Sequence, residues 1–166
     1  MDAFITWWSQ VIGRFLSPQL SVFFISMIPL VEERGGLILA GPLFFNLPLW
    51  EGIFWCVIGN IIPIPFILFG IKKVLKWMAE HHLSRAAEWI EAKAVKNKPK
   101  IDRYGMLGLT LFVGIPLPGT GAWTGSLVAA MFDMDIKKAS ISILLGIFLA
   151  AVIMTVLSYG VGGLFS

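Results

Sequence analysis

Ile115-Pro116-Leu117-Pro118-Gly119-Thr120-Gly121 interrupts an apolar tract that runs from Tyr104 to Phe132. Two prolines lack backbone donors and two glycines are poor helix formers, so no continuous helix is expected through this stretch. The arms on either side, Tyr104 to Ile115 and Ala122 to Phe132, hold 12 and 11 residues. At 1.5 Å per residue they reach roughly 18 and 16 Å, well short of a bilayer core of about 30 Å. Nine Lys and Arg precede the tract between Lys72 and Arg103, and Lys137 and Lys138 follow it. Basic residues near span ends mark the cytoplasmic side. With both ends cytoplasmic and both arms short, the tract is expected to dip into the membrane and return as a re-entrant hairpin.

The whole chain fits a lipid solvent. Of its 166 residues 57% are hydrophobic and 14% charged, and the mean hydropathy is +0.83. Soluble domains run near 45–50% apolar and about 25% charged, so a soluble enzyme is excluded. The expected class is an all-α integral membrane protein. Cys56 is the one cysteine, which leaves no intrachain disulfide, and the opening Met1-Asp2-Ala3-Phe4 lacks the basic region of a cleaved signal peptide. The basic segments read as a solvated inner face attracted to anionic lipid, with no nucleic-acid partner.

The same grammar occurs earlier. At an offset of 87 positions, Ile28-Pro29-Leu30 matches Ile115-Pro116-Leu117, Phe45 matches Phe132 and Gly59 matches Gly146. The order of elements agrees too: short arm, broken tip, short arm, polar turn, long apolar span. The first unit covers residues 20–71, with arms Leu20 to Val31 and Gly35 to Phe45, then a span from Leu49 to Ile71 that Pro63 and Pro65 kink. The second covers 104–163 and ends in a span from Ile136 to Tyr159. One crossing separates the units, so the two hairpins approach from opposite leaflets, as in inverted-repeat transporters. Residues 1–17 are expected as an interfacial helix carrying Trp7 and Trp8. Residues 72–103 are expected as a cytoplasmic amphipathic helical linker. Together these make one membrane domain.

The candidate site lies at the tips. Glu32, Glu33 and Arg34 follow the first tip, where each charge costs about 2.5–3.5 kcal/mol at membrane depth even on the lenient insertion scale. Arg34 is expected to pair with one glutamate. The other is then free to take up and release a proton as a cavity opens alternately to each side. The second tip is uncharged: Pro116, Pro118, Gly119 and Gly121 free backbone groups, Thr120 and Thr124 add hydroxyls, and Trp123 offers an aromatic face. Asn60, midway along the first span, needs a polar partner and is expected to bond a hairpin tip. No phosphate loop, paired-cysteine motif or nucleophile elbow is present, so no cofactor, metal site or enzymatic activity is expected.

The pairing of Pro29-Leu30-Val31-Glu32-Glu33-Arg34-Gly35 with Ile115-Pro116-Leu117-Pro118-Gly119-Thr120-Gly121-Ala122-Trp123-Thr124-Gly125 resembles the small multidrug export family of bacteria and archaea. That family in turn resembles, more distantly, the DedA (VTT) superfamily of lipid transporters and scramblases. The resemblance implies opposed re-entrant hairpins, and it places Glu32 or Glu33 where DedA proteins carry a membrane-embedded acid. The arginines that accompany the second hairpin in DedA proteins are absent, since Gly119 and Thr120 stand there. The expectation is a small dimeric secondary transporter of a prokaryotic inner membrane, in contact with membrane lipids, that exports a lipophilic or cationic small molecule in exchange for protons. A DedA-like lipid translocase is the alternative, and a non-transporting membrane scaffold the second.

Overall fold

A computed structural model of the chain describes residues 2–13, 15–29, 31–81, 83–102, 104–117 and 119–161. Among them the regular structure is entirely helical: α1 (Asp2–Val11), α2 (Pro18–Ser26), α3 (Glu32–Ala40), α4 (Leu49–Ile61), α5 (Pro63–Glu80), α6 (Ser84–Asp102), α7 (Gly105–Gly114), α8 (Ala122–Met131) and α9 (Ile136–Thr155), which runs on as a π-helical turn over Val156–Val161. Two stretches are long and apolar enough to cross a membrane, α4 with α5 over Leu49–Glu80 and α9 with its π turn over Ile136–Gly160. Their outer faces carry bare apolar side chains, among them Phe66 at 74% and Val152 at 63% exposure.

Local chemistry sets the boundaries. Ser17 caps α2 by accepting from the Leu20 amide, with Pro18 at the first helical position, so the first arm starts ahead of Leu20. It stops at Ser26, before the turn that begins at Met27. Helix α3 starts at Glu32 rather than Gly35, because two carboxylates in a first turn favour the positive end of the helix dipole. It ends at Ala40, before Gly41-Pro42, short of the expected Phe45. The long helix reaches Glu80 rather than Ile71, since nothing between Lys72 and Glu80 breaks a helix. Part of the expected linker is thus the end of this helix. The N-terminal helix spans only Asp2–Val11 of the expected 1–17.

The packing of the two halves corresponds. Helix α2 packs on α4 and α7 on α9, while α3 packs on both α4 and α9 and α8 on both α9 and α5. A Cβ on Gly59 would lie 2.4 Å from the Phe23 carbonyl and 3.0 Å from the Ser26 Cβ. A Cβ on Gly146 would lie 2.9 Å from the Thr110 carbonyl and 2.5 Å from the Val113 Cβ. Thr110 and Val113 are the positions 87 beyond Phe23 and Ser26, so both glycines admit the same close contact. Left-handed backbone recurs at this offset as well, at Glu32 and Gly119 and again at Asn46 and Asp133. Helices α4 and α9 start 87 residues apart.

The short pairs approach from opposite ends of the long helices. The Gln19 amide donates to Glu51 at the start of α4, and the Tyr159 hydroxyl donates to the Ala40 and Leu47 carbonyls, so the outer ends of α2 and α3 sit where α4 begins and α9 ends. At the other end, Lys72 pairs with Asp133 and the Lys98 ammonium lies 4.6 Å from the Phe132 ring centre. The turn after α8 therefore meets the end of α5 and the helix α6. Helix α6 itself packs against α5, α7 and α8, burying Ala87, Ala94 and Ile101.

A candidate site where the two tips meet

The tips interlock through charges placed on helix ends. Glu32 Oε2 accepts from the Ala122 amide at 3.0 Å and Oε1 from the Trp123 amide at 3.1 Å, so this carboxylate caps the N-terminus of α8. Those amides have no partner inside their own helix, and the dipole makes that end positive. Arg34 does the converse for α7. Its Nη1 donates to the Leu117 carbonyl at 2.8 Å, and its Nη2 to Thr120 Oγ1 at 3.1 Å and to the Ile115 and Val113 carbonyls at 3.3 and 3.4 Å. The last carbonyls of α7 and the loop beyond it thus face a guanidinium. Thr120 Oγ1 also lies 2.8 Å from the Leu117 carbonyl, tightening the loop that Arg34 grips.

Arg34 was expected to pair with a glutamate, and among the described residues it forms no ion pair. Helix ends supply the counter-charges instead. The cost of the arrangement shows at Glu32, whose φ of 52° is left-handed. Such strain in a non-glycine residue runs to about 1–3 kcal/mol and persists where surrounding contacts over-determine it. Gly121 is a condition of the geometry: its φ is 130°, and a Cβ there would overlap the Glu32 carboxylate.

Glu33 is different. Its side chain is 1% exposed, its Oε2 has no hydrogen-bond partner, and Asn60 beside it is fully buried with both amide atoms unpartnered. Asn60 therefore faces the carboxylate of α3 and not the second tip. Ser26 and Cys56 crowd the same region, since a Cβ on Gly36 would meet both Ser26 Oγ and Cys56 Sγ. Burying unpaired polar atoms costs about 1–3 kcal/mol each, and a group of them points to a service beyond packing.

The remaining expected residues distribute around this junction. Thr124 is buried on α8, and Trp123 is half-buried with an unpartnered indole nitrogen. Pro116 and Gly119 lie in the loop that Arg34 holds, Gly119 with φ 80°. Pro118 lies outside the described residues. No group of three or more His, Cys, Asp or Glu able to hold a metal occurs among the described residues.

Two features escaped the sequence. The Ala122 and Trp123 amides act as backbone groups, for which no side chain is diagnostic. Lys93, on α6, lines an apolar cavity of about 190 Å³ together with Pro29, Ile67, Ile71, Trp123 and Thr124. Partial burial pulls its ammonium below the usual lysine range, while the charge of Glu32 opposes that shift. The only hint was its place beside Ile90 and Ala94 on the inward stripe of the linker.

Comparison with curated proteins and with solved structures finds no match. A family model described as "Putative small multi-drug export protein" matches residues 32–153. The match takes in α3, α4, α5, the whole second tip and most of α9, and nothing in it extends to the DedA superfamily. Matched over most of its length, with two helices fit to cross a bilayer, the chain belongs to the small multi-drug export protein family of membrane proteins.

Proposed function

We propose that the protein is a secondary transporter of a prokaryotic plasma membrane that exports a lipophilic small molecule in exchange for protons, with Glu33 as the proton carrier. The observation that carries this reading is the unpaired, buried Glu33 carboxylate beside an unpaired Asn60, at the junction of two broken-helix tips. Glu32 and Arg34 are committed to helix ends and hold the junction together. Glu33 Oε2 has no hydrogen-bond partner and the carboxylate faces the neutral amide of Asn60, so its protonation state can change without breaking the contacts that hold the tips together.

The correspondences at offset 87 support an inverted repeat, and the contacts of Lys72 and Lys98 with the Phe132–Asp133 turn support a second hairpin that leaves on the side it came from. With each pair of short helices re-entrant, the tips lie near the midplane, where transporters of this architecture place their sites. One copy offers few helices to enclose a cavity, and a symmetric dimer supplies more.

Purified protein in proteoliposomes with an imposed pH gradient tests this, with lumenal pH read by an entrapped dye while a lipophilic probe, neutral N-phenyl-1-naphthylamine or anionic 1-anilinonaphthalene-8-sulfonate, is added. Wild type dissipates the gradient in a dye-dependent way and Glu33→Gln does not, because Gln keeps the shape but cannot ionise. A Glu33→Gln protein with the wild-type pH response overturns Glu33 as the proton carrier, and a wild type that leaves the gradient intact favours a scaffold.

A further inference from the structure

The cavity at Lys93 does not end there. It shares Ile67, Ile71 and Trp123 with a second, more open cavity of about 350 Å³ that runs along α5 past Phe66 and Val74, both exposed on the outer face. The two lobes make one groove, from the apolar surface of α5 to Trp123, whose amide the Glu32 carboxylate holds. The larger lobe alone falls in the range of about 300–1,000 Å³ usual for small-molecule sites.

Its lining is apolar and aromatic with two exceptions, Thr124 and Lys93. Lys93 is a cation, it makes no ion pair among the described residues, and its ammonium rests 5.4 Å from the Trp89 ring centre. Both oxygens of Glu32, the carboxylate whose charge reaches it, are held by backbone amides. No carboxylate lines the groove among the described residues. A positive charge at one end of a long apolar groove selects by charge complementarity. A lipophilic cation is repelled there, a neutral ligand leaves the ammonium without a counter-ion, and a lipophilic anion satisfies it.

We infer that this groove binds a drug-sized lipophilic monoanion, with its charged head at Lys93 and its apolar body between α5 and Trp123. The inference rests on the transporter reading and narrows its substrate class, against the cationic molecule that composition had suggested. Thr124, buried at the same end, is placed to donate a second hydrogen bond to the head.

The probes are 1-anilinonaphthalene-8-sulfonate and N-phenyl-1-naphthylamine, which share one aromatic body and differ in the sulfonate. Binding is titrated by calorimetry to protein in phosphatidylcholine nanodiscs, with empty nanodiscs subtracted. The sulfonate should bind wild type saturably. Lys93→Gln should weaken it about tenfold or more, the scale of a lost charge-assisted hydrogen bond, and change the neutral probe less than twofold. Lys93→Arg should restore the sulfonate, and Ile71→Trp, which fills the neck between the lobes, should weaken both probes. Equal losses for both probes in Lys93→Gln, tetraphenylphosphonium binding as tightly as the sulfonate, or displacement of the sulfonate by phosphatidylglycerol in the nanodisc would each overturn the inference, the last in favour of a lipid occupant. Binding is read at equilibrium with no pH gradient, so saturable sulfonate binding to a wild type that leaves the gradient intact marks a failure of proton coupling, and gradient dissipation without sulfonate binding marks a failure of this site.

Discussion

Glu32 and Glu33 are adjacent, identical in chemistry and equally buried, yet their neutralisation should have opposite consequences. Glu32 accepts from two backbone amides at 3.0 and 3.1 Å. In Glu32→Gln one oxygen still accepts, but the side-chain NH2 now faces the second amide, donor against donor. Losing one charge-assisted bond costs about 1.5–3 kcal/mol, and losing a negative charge at a helix N-terminus adds up to about 1 kcal/mol. A total of about 3 kcal/mol corresponds to a fall in Tm of roughly 6–12 °C for a chain of this size. In Glu33→Gln no bond to Oε2 is lost, because none exists. The new amide can bond the unpartnered Asn60, so stability should hold or rise by about 1 kcal/mol. Intrinsic tryptophan fluorescence during heating of the detergent-purified protein measures both. Equal destabilisation by the two substitutions would refute the division of labour between the carboxylates, and an unchanged Tm in Glu32→Gln would refute the cap on α8.

Three further outcomes follow from the same geometry. Arg34→Lys keeps the charge but cannot span acceptors on both Leu117 and Thr120, so the melting temperature should fall by several degrees and a cysteine at Thr120 should label faster with a maleimide than in the Arg34 background. Gly59→Ala and Gly146→Ala should each cost about 1–3 kcal/mol, by like amounts, because each drives a methyl into the neighbouring short helix at the corresponding position; chemical denaturation in mixed micelles reads the pair. Single cysteines at Lys98 and Asp135 should both be modified by an impermeant reagent added to inside-out vesicles and both be protected in right-side-out ones, and opposite-side labelling would remove the second re-entrant hairpin.

Much of the helix inventory was legible because its signals are local. Pro116 to Gly121 argue against a helix through the second tip, and the uninterrupted apolar run from Ile136 marks the last span, whereas the caps at Ser17 and Asp135 came from the structure. The offset of 87 was legible from a handful of identities, and its physical content, the Gly59 and Gly146 contacts with Phe23 and Thr110, needed coordinates. The partner of Arg34 was misjudged for a definite reason. Sequence displays side-chain charges and hides those of helix ends, and here the end of α7 outcompeted two neighbouring carboxylates. Lys93 was hidden likewise, since a basic linker reads as a solvated face until α6 is seen folded over the groove.

The interlock also constrains how the protein can move. Separating the tips would break the Glu32 cap and the Arg34 grip together, exposing a carboxylate and a guanidinium to an apolar interior at a cost of several kcal/mol for each charge. A cycle that parted them at every turn would therefore be slow. The contacts that can yield are those of α6, which covers the groove through Trp89, Ile90 and Lys93 and belongs to neither tip. The ion pair that ties α5 to the turn after α8, Lys72 with Asp133, is exposed and worth about 1 kcal/mol or less. Opening on that side breaks no buried charge and exposes only the apolar contacts of α6, while the junction at Glu32 and Arg34 acts as the fixed point. Glu33, next to that fixed point on α3 and with no partner on Oε2, can then change protonation while the junction stays closed.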